Sequence, residues 1–369
     1  MQFQIQKTDL MAAISIVSKG LSAKTAHPLL EGVYLSCSES TLLLTCSDGF
    51  IQIETKTIVE SNQGGEIVLP GRLFFEIIRK LPDDLVHIEQ PDESKPAVMI
   101  SCGHVQMSLQ GFNADEYPKM QPLNSNHTLT ISQSTLRDMI KQTVFACATD
   151  EARPILTGVL FEAKEGKLQL VALDGYRLAM RRENANFDGD FSAILPASSL
   201  NEVMKILSDS EEILTMAFSH SNVQIDLEDT RIHAVLLNGE YMKYEQIFPK
   251  EQNTTLQANR RELLNAIDRA SLMARESKNN LVRFDVEKDF VRVSANSEIG
   301  SAQEEIPAQC RGEGLEIAFN ARYMQDVLSR LEDEELLFRF QSNITPCVVE
   351  PLQGNAFYYL VLPVRLMNR

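Results

Sequence analysis

The stretches LLLTCSDGFIQIE (42–54) and LQLVALDGYRLAM (168–180) share one build, 126 residues apart. Each is an alternating apolar strand, then Asp-Gly, then an aromatic residue and a second alternating strand. The same offset lays AHPLLEGVYL (26–35) over ARPILTGVLF (152–161), so Pro28 meets Pro154 and Gly32 meets Gly158. It also lays IVLPGRLFFEIIRKL (67–81) over AILPASSLNEVMKIL (193–207), and FQIQKTDLMAAI (3–14) over LTISQSTLRDMI (129–140). A fainter third copy follows: LQANRRELLNAI (256–267) at an offset of 127, LEIAFNARYMQDVLSRL (315–331) at 124, and VRVSANSE (291–298) at 123, without the Asp-Gly. A period of about 125 residues, three times over, uses all 369. Periods of 20–50 build solenoids and propellers, whereas this one is domain-sized. The chain therefore reads as three similar domains, 1–124, 125–252 and 253–369.

Within each copy a short strand (FQIQ, LTIS, LQAN) leads into a helix with apolar residues at helical spacing. Leu10, Ile14 and Val17 mark it in the first copy, and Leu136, Met139, Ile140 and Val144 in the second. Thr8, Ser132 and Asn259 are the expected caps. Strands joined at Asp48-Gly49 and Asp174-Gly175 follow, as expected for tight hairpins. A strand ending in Leu-Pro starts a second helix, and further alternating strands complete the unit. Two helices on antiparallel sheets, repeated three times, give an α+β fold.

The six cysteines show no CxxC pair and no Cys/His cluster at ligand spacing, so they read as free, mostly buried thiols, with no metal and no cofactor implied. No apolar run is long enough to span a membrane, and MQFQIQKTDL lacks a signal-peptide pattern, which predicts a cytoplasmic protein. There is no Walker loop, HExxH or GxSxG, and the six histidines fall in unrelated contexts. Asp48 and Asp174 read as turn residues rather than catalytic carboxylates. No catalytic residue is assigned.

The formal net charge of −16 argues, at face value, against a nucleic-acid partner. The charge is segregated, however. The six helical segments 7–19, 71–81, 133–147, 198–207, 258–275 and 320–331 hold fourteen Lys/Arg against seven Asp/Glu, leaving 21 basic against 44 acidic residues elsewhere. Helices related by rotation would gather that positive charge on one face and attract a polyanion without reading its sequence. Arg72, Arg79, Lys80, Arg137, Lys141, Lys205, Arg260 and Arg269 are the candidate cations to face that polyanion, which the resemblance given below implies is DNA. A β-rich protein-interaction scaffold that never meets DNA is the alternative.

The three copies, together with DGYRLAM, LPGRLFFEIIRKL, TDEARPILTGVLFE (149–162) and a closing VLPVRL (361–366), resemble the bacterial sliding clamps, the beta subunits of the replicative DNA polymerase. The resemblance covers the full length. It implies a non-enzymatic homodimer of six similar domains closing head-to-tail into a ring around duplex DNA, helices inside and sheet outside. One chain would then supply half of the ring. A tether that encircles DNA can slide on weak phosphate contacts while holding a polymerase at high local concentration. Lys24 falls where the family often carries a DNA-contacting cation.

The resemblance also implies a pocket for short peptides of the polymerase, the clamp loader and repair polymerases. The matching positions are Leu156, Leu173, Gly175, Tyr176, Arg177, Leu178, Met242, Ile247, Asn320, Tyr323, Ile344, Pro346, Val361, Leu362, Pro363, Val364, Arg365 and Leu366. Most are apolar, and Arg177, Arg365 and Asn320 are expected to fix a peptide backbone. Met242 stands where the family commonly has Pro, Gln246 where it is often basic, and Val364 where it usually has Met. Met367-Asn368-Arg369 extends past the usual end, so a shifted peptide preference is expected. Met107 and Leu109 against Leu272 and Met273 are the expected dimer contacts.

Overall fold

The computed structural model describes residues 1–22, 27–92, 94–150, 152–249, 251–276 and 280–365. Lys24, Leu366 and Met367-Asn368-Arg369 lie outside the described residues.

All six expected helices form: α1 Lys7–Val17, α2 Gly71–Lys80, α3 Gln133–Lys141, α4 Ala197–Ile206, α5 Arg260–Ala274 and α6 Ala321–Arg330. Their apolar stripes are the buried ones, with Leu10, Ile14 and Val17 on α1 and Leu136, Met139 and Ile140 on α3. α3 is shorter than its periodicity suggested. The Thr143 hydroxyl donates back to the Met139 carbonyl at 2.7 Å, and Val144 falls in a separate 3-10 turn, Val144–Ala146.

Asn259 caps α5 as expected, its side chain accepting from the amides of Arg261 and Glu262. Thr8 does not cap α1; the chain enters that helix at Gln6 without a side-chain cap, and Asp9 provides a negative charge in its first turn.

Both Asp-Gly turns close tightly, the Asp48 amide donating to the Ile51 carbonyl at 3.1 Å and the Asp174 amide to the Arg177 carbonyl at 3.3 Å. Asp48 Oδ1 accepts from the amides of Phe50 and Ile51, both at 2.8 Å, while Gly49 takes φ +93°. Asp174 Oδ1 accepts from Tyr176 at 2.8 Å and Arg177 at 3.0 Å, with Gly175 at φ +94°. The carboxylate closes the loop and glycine supplies the left-handed backbone. In the third copy the strands Phe290–Ser297 and Gly300–Arg311 occupy the hairpin position without an Asp-Gly.

The chain forms two compact units, residues 1–134 with 198–236, and residues 135–197 with 237–369. In the first, the hairpin of Thr41–Ser47 and Ile51–Ile58 continues into Thr230–Val235, with Ile53 opposite Ile232, so one antiparallel sheet runs from the first copy into the second. A five-stranded sheet ending in Val105–Gln110 completes that unit. The second unit carries a twelve-stranded sheet. There Arg177–Asn184 pairs with Phe357–Val361, joining the second copy to the third. Among the described residues no helix is long and apolar enough to cross a membrane.

Candidate functional site

The second unit builds a compact polar and aromatic junction on the Asp174 turn. Arg177, the first residue after the turn, is 9% exposed, and its guanidinium is divided among three elements. Nε donates to Asp174 Oδ2 at 3.0 Å, Nη1 to Asp326 Oδ2 on α6, and Nη2 to the Phe145 carbonyl at 2.7 Å. Its Cζ lies 4.8 Å from the ring centre of Tyr323 and 5.3 Å from that of Phe145. The planar fork fits this set, whereas an ammonium would serve fewer of these partners. Tyr176 stacks on Tyr323 at 6.0 Å. Burial raises the Tyr323 hydroxyl above its ordinary range, so the ring presents a neutral phenol.

Beneath this junction lies an apolar floor. Leu156, Leu173, Leu178, Ile194 and Leu360 form one buried cluster with Tyr244, and Ile155, Tyr241, Ile247, Phe248 and Leu362 pack half-buried against it. Burial holds the nearby Cys147 thiol up at about 12, unreactive at neutral pH. Burial, then the Glu162 carboxylate, likewise raises the Tyr244 phenol, which donates to Glu162 and accepts from Gln169.

The closing segment stitches both sides of the floor. The Leu362 amide donates to the Tyr176 carbonyl at 2.9 Å, and the Val364 amide to the Ala318 carbonyl at 2.8 Å. The result is an apolar cluster edged by aromatic rings. Among the described residues no cluster of His, Cys, Asp and Glu is arranged to hold a metal ion.

The sequence-predicted residues divide by depth. Leu156, Leu173 and Leu178 are buried in the floor, and Val361 is buried outside that cluster, beside Leu360 which belongs to it. Gly175, Tyr176, Met242, Ile344 and Arg365 are exposed; Ile247, Asn320, Tyr323, Pro346, Leu362, Pro363 and Val364 are half-buried. Two expected peptide contacts already carry internal bonds. Three of the Arg177 N–H groups are engaged within the junction, where the guanidinium positions Tyr323 and the turn. The Asn320 side-chain oxygen caps α6, accepting from the Arg322 amide at 3.0 Å. Asp174, Asp326 and Phe145 were missed. The aspartates read from sequence as a turn residue and a helix-surface charge, and only the strand pairing shows their common guanidinium.

Among the candidate DNA-facing cations, Arg72, Arg79, Lys80, Lys205 and Arg269 are exposed, and Arg137 and Lys141 half-exposed. Several hold a carboxylate nearby: Arg79 with Glu76, Lys205 with Glu202, Lys141 with Glu332 and Arg269 with Glu304. Arg260 is a correction. It is 8% exposed and donates to the carbonyls of Asp333 and Leu328, tying the start of α5 to the end of α6. Of the expected dimer residues, Met107 and Leu272 are exposed and Met273 is half-buried. Leu109 points into its own core at 5% exposure, which removes it as a contact.

Family models for the DNA polymerase III beta subunit match along the chain: the N-terminal domain at residues 1–121, the central domain at 130–243 and the C-terminal domain at 245–365. The chain belongs to the bacterial DNA polymerase III beta subunit family. A beta sliding clamp of Bacillus subtilis is 35% identical over 99% of this chain and 100% of its own length. A beta sliding clamp of Staphylococcus aureus is 32% identical, with 99% of each covered. A crystal structure of the DNA polymerase sliding clamp from Bacillus subtilis matches the whole of both chains with a TM-score of 0.95. A Pseudomonas aeruginosa sliding clamp bound to griselimycin matches 99% of this chain and 100% of its own at 25% identity and a TM-score of 0.94. As a member of the beta subunit family, the chain is a DNA polymerase sliding clamp and not an enzyme.

Proposed function

We propose that two copies of this chain close head-to-tail around duplex DNA in the cytoplasm and tether the replicative polymerase. The observation that carries this reading is full-length membership of the clamp family together with three domain-sized repeats, for which we propose the boundaries 1–124, 125–252 and 253–369. The exposed cations Arg72, Arg79, Lys80, Arg137, Lys141, Lys205 and Arg269 would meet phosphates without reading bases, which suits sliding.

Two open strand edges support the dimer. Val105–Gln110 is the last strand of its sheet, and among the described residues 300–307 of Gly300–Arg311 pair on one side only, since Thr254–Asn259 takes Ala308–Arg311. Beside the second edge stand Leu272, 57% exposed, and Ile299, 74% exposed. An open edge flanked by apolar side chains calls for a partner strand.

The cleft at Tyr176, Tyr323 and Leu362 would receive the short apolar peptides of the polymerase, the clamp loader and repair polymerases. Griselimycin on the Pseudomonas aeruginosa clamp supports a ligand-accepting surface in this family.

The test is retention of the loaded protein on nicked-circular against linearised plasmid. Retention on circles with loss from linear ends is expected. Equal retention on both would overturn encirclement and favour a scaffold.

A further inference from the structure

The first unit contains a cavity of about 570 Å³ lined by Lys19, Asp48, Ile51, Ser199, Glu202 and Lys205, among others. These residues occupy the same repeat positions as the Arg177 junction of the second unit. At the offset of 126, Lys19 corresponds to Phe145, Asp48 to Asp174 and Ile51 to Arg177; at 124, Ser199 corresponds to Tyr323 and Glu202 to Asp326. The local structure agrees. Each set draws on a 3-10 turn (Ser18–Gly20 or Val144–Ala146), an Asp-Gly loop closed by the same two amide bonds, and a helix following a strand (α4 or α6).

The difference is what fills the centre. In the second unit the Arg177 guanidinium bridges Asp174 and Asp326 against the Tyr323 ring. In the first unit arginine and tyrosine give way to Ile51 and Ser199. Both carboxylates remain at their stations, and the space between the same elements is open. Ser199 is 3% exposed and lines this cavity, and among the described residues its hydroxyl has no hydrogen-bond partner. Its hydroxyl opens onto the cavity and adds a polar group to the wall.

We propose that this cavity takes the guanidinium of an arginine side chain from a partner protein, held between Asp48 and Glu202 as Arg177 is held between Asp174 and Asp326. The occupant must be a fork. Lys205 bonds one Glu202 oxygen at 2.7 Å and leaves the other, while Asp48 Oδ1 serves its own turn and leaves Oδ2. A guanidinium reaches two such separated oxygens at once, and an ammonium does not. Two lysines on the wall oppose a cation: Lys205 is neutralised by Glu202, and Lys19, without an ion pair among the described residues, has a long stem that lets its ammonium turn to solvent. Phe50, at the Tyr176 position and 68% exposed, stands on the same loop and offers an apolar face to the arginine stem.

The experiment is methyl NMR of the full chain labelled at isoleucine, titrated with N-acetyl-arginine amide, N-acetyl-lysine amide or inorganic phosphate. The Ile51 methyl is expected to shift saturably with the arginine amide while Ile155 and Ile247, at the second unit's cleft, stay in place. The lysine amide should bind at least tenfold more weakly. Glu202→Gln and Asp48→Asn should each weaken the arginine amide at least tenfold, and both substitutions keep the oxygen that the local fold uses. An unmoved Ile51, equal response to the lysine amide, or a response to phosphate alone would each overturn the proposal, the last by identifying an anion site.

Discussion

The Arg177 guanidinium lies 4.8 Å from the centre of the Tyr323 ring while it bonds Asp326 one helical turn further along α6. One side chain therefore fixes the Tyr323 ring, the helix that carries it, and the loop that faces it.

Removing Arg177 leaves Asp174 and Asp326 partly buried without their counter-charge, at 15% and 27% side-chain exposure. Arg177→Ala is expected to cost roughly 3 kcal/mol, since breaking one half of a buried pair costs more than the pair contributes. Arg177→Lys should recover less than half of that. Urea denaturation followed at the second unit measures both. A loss below about 1 kcal/mol for the alanine variant, the scale of an exposed ion pair, would refute the positioning role.

Two glycines separate backbone strain from crowding. Gly312 has φ +104°, and a Cβ there would lie 2.1 Å from the Asn253 carbonyl oxygen. Gly49 has φ +93° with nothing within 4 Å. Gly49→Ala is expected to lose about 1 kcal/mol from strain alone, and Gly312→Ala roughly 3 kcal/mol because strain and a backbone clash add. Thermal denaturation of the two variants side by side checks the order, and equal losses would show that the backbone at 312 yields.

Much of this architecture was legible in sequence for a physical reason. A repeat at one offset fixes helix positions, hairpins and strand order together, so Leu10, Leu136 and Asn259 took their expected places. What was not legible depends on pairing between copies. Arg177 reads as a pocket cation until the strand pairing of Arg177–Asn184 with Phe357–Val361 brings α6 to it. Arg260 counts as a helix-surface charge until the end of α6 presents carbonyls that need a donor. Leu109 shares strand parity with the exposed Met107 and is nevertheless buried, so alternation along the strand could not separate the two.

The Glu66–Lys119 pair gives a pH dependence of definite sign. The hydrogen bond from Lys119 holds the Glu66 carboxyl below its ordinary value of 4.5, and the Lys119 ammonium is raised in turn. A depressed carboxyl stabilises the fold above the unfolded pKa and loses that contribution as pH falls through the folded one. Both partners are about half exposed, so the effect is a few tenths of a kcal/mol. Tyr117, stacked on Tyr34 at 5.3 Å, keeps the segment docked otherwise. Amide protection around Lys119 should drop as pH falls below the ordinary carboxyl value of 4.5, and Lys119→Met should flatten that drop. A drop that persists in the variant would assign it to another group.

The exposed side chains of Leu272 and Ile299 set the dimer prediction. Leu272→Asp places a charge where a partner surface would exclude water, and is expected to weaken the dimer at least 100-fold, on the scale of an interface hot spot. Light scattering across a dilution series reads this directly. A variant that remains dimeric at nanomolar concentration would place the interface elsewhere.

The closing segment separates a backbone effect from a side-chain effect at a single position. The Val364 amide holds the Ala318 carbonyl at 2.8 Å, and the Leu362 amide holds Tyr176 two residues earlier. Val364→Pro removes the first of these donors and should cost about 1 kcal/mol of local stability, the usual net value of one hydrogen bond. Because Leu362 is part of the cleft floor, a loosened segment should also weaken an apolar clamp-binding peptide severalfold. Val364→Met keeps the amide and adds apolar surface at the rim, so the same peptide should bind it more tightly by about 1 kcal/mol at most. Fluorescence anisotropy with one labelled peptide compares all three forms. Opposite shifts for proline and methionine would assign separate roles to the backbone and the side chain at 364, whereas unchanged affinity in both would remove this position from the peptide's path.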